Sequence, residues 1–253
     1  MKDVPEKRQV DIDGHRLTYT VTGCGRPAVV LINGLGVPLR AWDKLYPGIT
    51  ALGTVVTYDR PGIGRSSPPR VPQTGETVVR MLHRLLAETG IEGPYVLIGH
   101  SIGGLYANLF ARLYPGDVAG VMMLEATAPD DVDAFELHQT RVARLIDAVF
   151  DLFTRHQPNH ERNNIKESVA QLSSAPAFPE IPVCVVSGEK TMPAWLVSSV
   201  AARLRAENQA ALARLSPQGW QVIASESGHF PQISEPALVV RAIEQVVSAA
   251  AIR

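Results

Sequence analysis

The sequence predicts an α/β fold: a mostly parallel sheet with helices on both faces. Three observations predict it. Short apolar runs rich in β-formers alternate with longer stretches whose apolar residues recur at helical spacing, the pattern of strand–helix–strand units. Several of these runs (AVVLI at 28–32, YVLI at 95–98, VAGVMML at 118–124) carry no polar side chain, as expected of strands buried on both faces. The residue types that carry chemistry fall just after such runs, at the carboxyl ends of strands, where reactive groups gather in these sheets.

Taken in order, residues 9–12 and 16–21 alternate around Asp13-Gly14 and read as an antiparallel hairpin at the sheet edge. The run 28–32 is a buried strand ending in Asn33-Gly34-Leu35-Gly36, and 54–58 (TVVTY) is the next, ending in Asp59-Arg60-Pro61-Gly62. Residues 74–89 form an amphipathic helix with Val78, Val79, Leu82, Leu85 and Leu86 on one face. The strand 95–98 then runs without a break through Gly99-His100-Ser101-Ile102-Gly103-Gly104 into a helix over 105–113, stopped by Tyr114-Pro115-Gly116. The strand 118–124 ends at Glu125.

After Glu125 the alternation stops. The stretch that follows is polar and helical in places, with Val142, Leu145, Ile146, Val149 and Phe153 at helical spacing over 140–153. It is too long for a simple connection and reads as a helical cap over the strand ends. The division is a core of 1–128 and 177–253 with a cap insertion at 129–176. The core resumes with a strand at 183–187 followed by Gly188-Glu189-Lys190-Thr191, a helix over 194–215, a strand at 221–224, Ser227-Gly228-His229-Phe230, and a closing helix over 236–251.

Composition bounds the partners. With 253 residues, 45% hydrophobic and 19% charged, the chain suits one large domain with a sizeable core. A formal net charge of -1 gives no electrostatic case for nucleic acid or an anionic membrane. No apolar run approaches a membrane span, and the charged start MKDVPEKRQV lacks the apolar core of a signal peptide. Cys24 and Cys184 read as free thiols of a reducing compartment, and a cytoplasmic location is expected. Oligomeric state is not legible.

Ser101 carries the strongest chemical signal. Gly-x-Ser-x-Gly between a strand and a helix is the nucleophile-elbow pattern: the serine is forced outward in an unfavourable backbone conformation, and the flanking glycines allow the chains to pass closely. A serine hydroxyl needs a base, and the base needs an orienting group. His229, on the loop after the last strand, is the candidate base; His100 is expected to point away from Ser101. His156 and His160 have helical ligand spacing, but Pro158 between them favours a solvated loop, so no metal site is expected. Two strand ends between Ser101 and His229 offer an acid. Glu125 closes an apolar strand, where a charge is best explained by a buried partner, and is preferred; Glu189, followed by Lys190, is the alternative. The oxyanion donors expected are the backbone N–H groups of Ile102 and of Leu35.

Together, Asn33-Gly-x-Gly36, Asp59-Arg60-Pro61-Gly62-x-Gly64-x-Ser66, Gly99-His100-Ser101-x-Gly103-Gly104 and Gly228-His229 resemble the α/β-hydrolase superfamily along nearly the whole chain. The resemblance implies an eight-stranded sheet with strand two antiparallel and a cap after strand six. Two positions depart from the family pattern. Asn33 stands where the family usually has histidine, in a loop-shaping rather than catalytic position. The turn after strand seven lacks the usual aspartate, with Thr191 in its place; some members carry the acid after strand six, where Glu125 stands. The implied activity is hydrolysis of a small-molecule carboxylic ester or lactone without a cofactor. The same serine–histidine–acid set also serves thioesterases, C–C hydrolases, perhydrolases and hydroxynitrile lyases, and a non-catalytic ligand receptor can be built on the scaffold. Phe135, Leu137, Phe150, Phe153, Met192 and Trp195, with Phe230, are candidate pocket residues.

Overall fold

A computed structural model describes residues 5–138, 140, 142, 144, 158–191, 193 and 195–251. Its centre is one eight-stranded sheet in the order β1-β2-β4-β3-β5-β6-β7-β8. The strands are β1 (Lys7–Ile12), β2 (His15–Thr22), β3 (Ala28–Ile32), β4 (Thr54–Asp59), β5 (Tyr95–His100), β6 (Val118–Leu124), β7 (Val183–Gly188) and β8 (Gly219–Ala224). β2 pairs antiparallel with both β1 and β4, and every other pairing is parallel. The edge hairpin pairs Ile12 with His15 across Asp13 (φ 48°) and Gly14 (φ 76°), the two left-handed residues that a tight hairpin turn needs.

Among the described residues, six helices of eight or more residues accompany the sheet: α1 (Gly75–Glu88), α2 (Ile102–Leu113), α3 (Pro129–His138), α4 (Ile165–Ser174), α5 (Ser199–Ala213) and α6 (Pro236–Ala250). Strand alternation feeds two cores. Val30 and Ile32 of β3 face Val78, Leu82, Leu105 and Phe110 of α1 and α2, with Leu172 of α4 and Leu212 of α5 in the same layer. Val29 and Leu31 face the opposite way, toward Trp42, Tyr46, Ile49 and the α6 residues Val239, Ile243 and Val246. β3 is therefore covered on both sides, which is why its sequence is continuously apolar, whereas β1 at the sheet edge is mostly exposed.

Two helix starts, those of α1 and α5, are set by side-chain caps. The Thr74 hydroxyl accepts from Thr77 N–H as the N-cap, so α1 begins at Gly75, one residue inside the expected 74–89. The helix expected over 194–215 is shorter. Pro193 closes a turn onto Leu196 and Val197, and Ser198 caps Ala201 N–H at 3.2 Å, so α5 starts only at Ser199. Within the insertion, α3 packs against α5, and α4 lies along α1 and α2, where the Gln171 side chain accepts from Glu76 N–H. Most of the helix expected over 140–153, including Phe150 and Phe153, lies outside the described residues, as do His156 and Met192. No helix among the described residues is long and apolar enough to cross a membrane.

Candidate active site

The carboxyl ends of β3, β5, β6 and β7 and the loop after β8 converge on one place. Ser101 sits between β5 and α2 at φ 54°, a left-handed conformation that costs a residue with a Cβ roughly 1–2 kcal/mol. Neighbours hold it there: its N–H donates to Leu124 O at 3.1 Å, and its carbonyl accepts from Gly104 at 2.9 Å and Thr127 at 3.0 Å. The flanking glycines are required for two different approaches. A Cβ on Gly99 would lie 2.3 Å from Gly103 O, at the strand–helix crossing, whereas one on Gly103 would lie 2.2 Å from Ile32 O, at the end of β3.

His229 Nε2 stands 3.2 Å from Ser101 Oγ, and its Nδ1 3.3 Å from Glu125 Oε2. A carboxylate only accepts, so the imidazole proton belongs on Nδ1 and Nε2 is left to accept from the serine hydroxyl. Glu125 also has a positive φ, 47°, and is buried. Its Oε1 accepts from Gly188 N–H at 2.8 Å, and its Oε2 accepts from Arg205 Nη2 at 2.9 Å. Burial alone would raise the Glu125 carboxyl. The His229 hydrogen bond, the Arg205 charge and the Gly188 N–H outweigh it and hold the group at about 2. Glu189, the alternative acid, is exposed, and its N–H donates to Ala224 O at 3.1 Å. The structure thus brings Ser101, His229 and Glu125 together and leaves Glu189 outside the group.

His100, at the end of β5, packs beside His229. Its ring lies 5.0 Å from that of His229, and its Nε2–H donates to His229 O at 2.7 Å. Burial, then the neighbouring His229, push its pKa down to about 3, so it stays a neutral donor supporting the histidine loop.

The loop after β3 abuts the elbow: a Cβ built on Gly34 would come within 3.3 Å of Ser101 Cβ. Gly36, at φ 66°, completes a turn in which Val37 N–H donates to Gly34 O at 3.2 Å. Among the described residues, neither Leu35 N–H nor Ile102 N–H donates to a protein acceptor. Asn33, at the family's histidine position, shapes the loop with its amide: Nδ2 donates to Tyr58 O at 3.1 Å, and Oδ1 accepts from Trp42 Nε1.

Two residues beside the site had no sequence reading of their own. Arg205 of α5 ties the Glu125 carboxylate and main-chain oxygen to Asp131 of α3, and Glu161 pairs with the buried Arg60. Neither has a local signature. The available clue was Arg60 directly after a buried strand, a position that calls for an acidic partner somewhere in the chain. Of the apolar candidates, Leu137, Trp195 and Phe230 are 79%, 61% and 41% exposed, so none of them is packed away in the core. His160 Nδ1 accepts from Arg162 N–H, and no group of three or more His, Cys, Asp or Glu among the described residues is placed to hold a metal ion.

A family model described as the alpha/beta hydrolase fold matches residues 27–240. The chain belongs to the α/β-hydrolase fold family. YqjL, an uncharacterised protein of Bacillus subtilis (strain 168), is 26% identical over 250 residues, 92% of either chain. Among solved structures, a thermophilic esterase from Thermogutta terrifontis is similar with a TM-score of 0.68 at 23% identity, over 97% of this chain and 99% of that one. Est816, described as an N-acyl homoserine lactone degrading enzyme, is similar with a TM-score of 0.64 at 18% identity, over 94% and 99%. At these identities the likeness to the two structures is one of fold.

Proposed function

We propose that the protein is a serine hydrolase that cleaves a small carboxylic ester or lactone through an acyl-enzyme on Ser101. The observation that carries this reading is the continuous path from Ser101 Oγ to His229 Nε2 (3.2 Å) and from His229 Nδ1 to Glu125 Oε2 (3.3 Å). The likeness in fold to an esterase and to a lactone-degrading enzyme supports the choice of bond.

Ser101 Oγ adds to the carbonyl carbon as its proton passes to His229 Nε2. The ionised Glu125, held at about 2, stabilises the imidazolium so formed. The Leu35 and Ile102 N–H groups receive the oxyanion. Collapse of the tetrahedral adduct breaks the ester C–O bond, and the leaving alkoxide takes the proton from His229. Water then adds to the acyl-enzyme with His229 as base, and the second collapse releases the carboxylic acid and restores the Ser101 hydroxyl.

The test is turnover of a panel of p-nitrophenyl esters and aliphatic lactones by wild type and Ser101→Ala. Wild type is expected to turn over at least one member and the variant none above background. A wild type inert across the whole panel contradicts the substrate class.

A further inference from the structure

We infer that Arg60 and Glu161 are positioning residues for the oxyanion: the buried Arg60 guanidinium fixes the Gly34–Leu35 peptide so that its N–H is left free beside Ser101. This rests on the serine-hydrolase reading. The pair is closed off from solvent, with the side chains 1% and 3% exposed. Arg60 Nε donates to Glu161 Oε2 at 2.6 Å and Nη2 to Glu161 Oε1 at 3.1 Å, a forked ion pair. The remaining reach of the guanidinium goes to the oxyanion loop. Nη1 donates to Asn33 O and Nη2 to Gly34 O, both at 2.8 Å, and the group lies over the Tyr106 ring at 5.3 Å.

In a planar trans peptide the carbonyl and the N–H point in opposite directions. Turning Gly34 O into the guanidinium therefore turns Leu35 N–H away from it. That N–H has no acceptor among the described residues. Glu161 works from the other end of the turn. Its Oε1 accepts from Gly36 N–H at 2.9 Å, which removes that donor from the site and fixes the far peptide as well. Gly34 O also accepts from Val37 N–H, but at 3.2 Å this is the longer of its two bonds. A buried ion pair is expensive to desolvate and is weak evidence for stability, so a role in setting one backbone arrangement accounts better for it than adhesion. It also makes Glu161, a residue of the insertion, a determinant of the geometry after β3.

The experiment first requires a wild type that turns over an ester; if it does not, the serine-hydrolase reading has failed rather than this one. Arg60→Met/Glu161→Leu removes both charges together, which buried pairs often tolerate. With fold checked by near-ultraviolet circular dichroism, kcat is expected to fall about 10- to 100-fold, with KM within about 2-fold. A trifluoromethyl ketone matched to the substrate acyl group forms a hemiketal oxyanion and should lose affinity by the same factor. The acidic limb of the pH–rate profile should not move, because His229 and Glu125 are untouched. An unchanged kcat, or a raised KM with kcat unchanged, overturns the inference. If the double variant does not fold, the same split read on Arg60→Lys decides, since lysine keeps the charge but lacks the guanidinium fork that reaches both carbonyls.

Discussion

Arg205 donates to Glu125 at two separate atoms, the carboxylate Oε2 and the main-chain oxygen, each at 2.9 Å. The same guanidinium reaches Asp131 Oδ2 at 3.2 Å. One side chain of α5 thus holds both the acid and the strained backbone beneath it, and joins them to the first turn of α3. The charge on Arg205 also competes with His229 for the carboxylate, since Oε2 is nearer Arg205 than it is to Nδ1 at 3.3 Å.

Arg205→Met is therefore expected to lower both activity and stability. Without the guanidinium, Glu125 loses a charge partner and its carbonyl loses a donor, and kcat should fall roughly 10-fold with a lower Tm. Arg205→Lys should recover part of the Tm and less of the kcat, because an ammonium can answer one oxygen but not hold both Glu125 and Asp131 in one plane. Steady-state kinetics and thermal melts of the two variants check this. Wild-type kcat in Arg205→Met would count against any role in orienting the acid.

The acid assignment makes a sharper comparison. Glu125→Gln keeps the shape but removes the negative charge facing His229 Nδ1, and kcat/KM should drop about 10³- to 10⁴-fold. Glu189→Gln, altering an exposed side chain, should stay within about 2-fold of wild type. The reverse ranking would move the acid to the turn after β7.

Stability should carry the mark of Glu125 in acid. Its folded-state pKa, about 2, lies below the ordinary 4.5, so the folded protein takes up the proton less readily than the unfolded chain. The contribution is therefore fully present above pH 4.5 and is lost as pH falls through 2. It amounts to a few kcal/mol at most on the order-of-magnitude scale of such shifts. Chemical denaturation of wild type from pH 6 to pH 2 should show a steeper loss than Glu125→Gln, and parallel curves would contradict the assignment.

What the sequence made legible follows from where each signal is stored. Ser101 and Glu125 each stand directly after an apolar strand and His229 lies on the loop that follows β8, so the strand pattern pointed to them without knowledge of contacts. The edge hairpin was readable for a similar reason, because Asp13-Gly14 encodes its own turn. Arg205 and Glu161 were not readable in this way. Each lies in a stretch with no distinguishing pattern and acquires its role from a partner far along the chain, Glu125 or Arg60. The start of α5 was placed too early because the apolar residues Trp195, Leu196 and Val197 run into the alanine-rich helix without a break, whereas the hydroxyl of Ser198 sets the boundary. The partner of His100 was not readable for a tertiary reason: the loop after β8 folds back over it and offers a carbonyl that strand alternation alone does not reveal.

The most direct test of the central claim is intact-mass analysis after treatment with a fluorophosphonate, followed by mapping of the modified peptide. A serine activated by His229 should give a single adduct on Ser101. The adduct should be absent in Ser101→Ala and form at least about 10³-fold more slowly in His229→Ala. An unmodified wild type, or an adduct on another residue, would contradict the account.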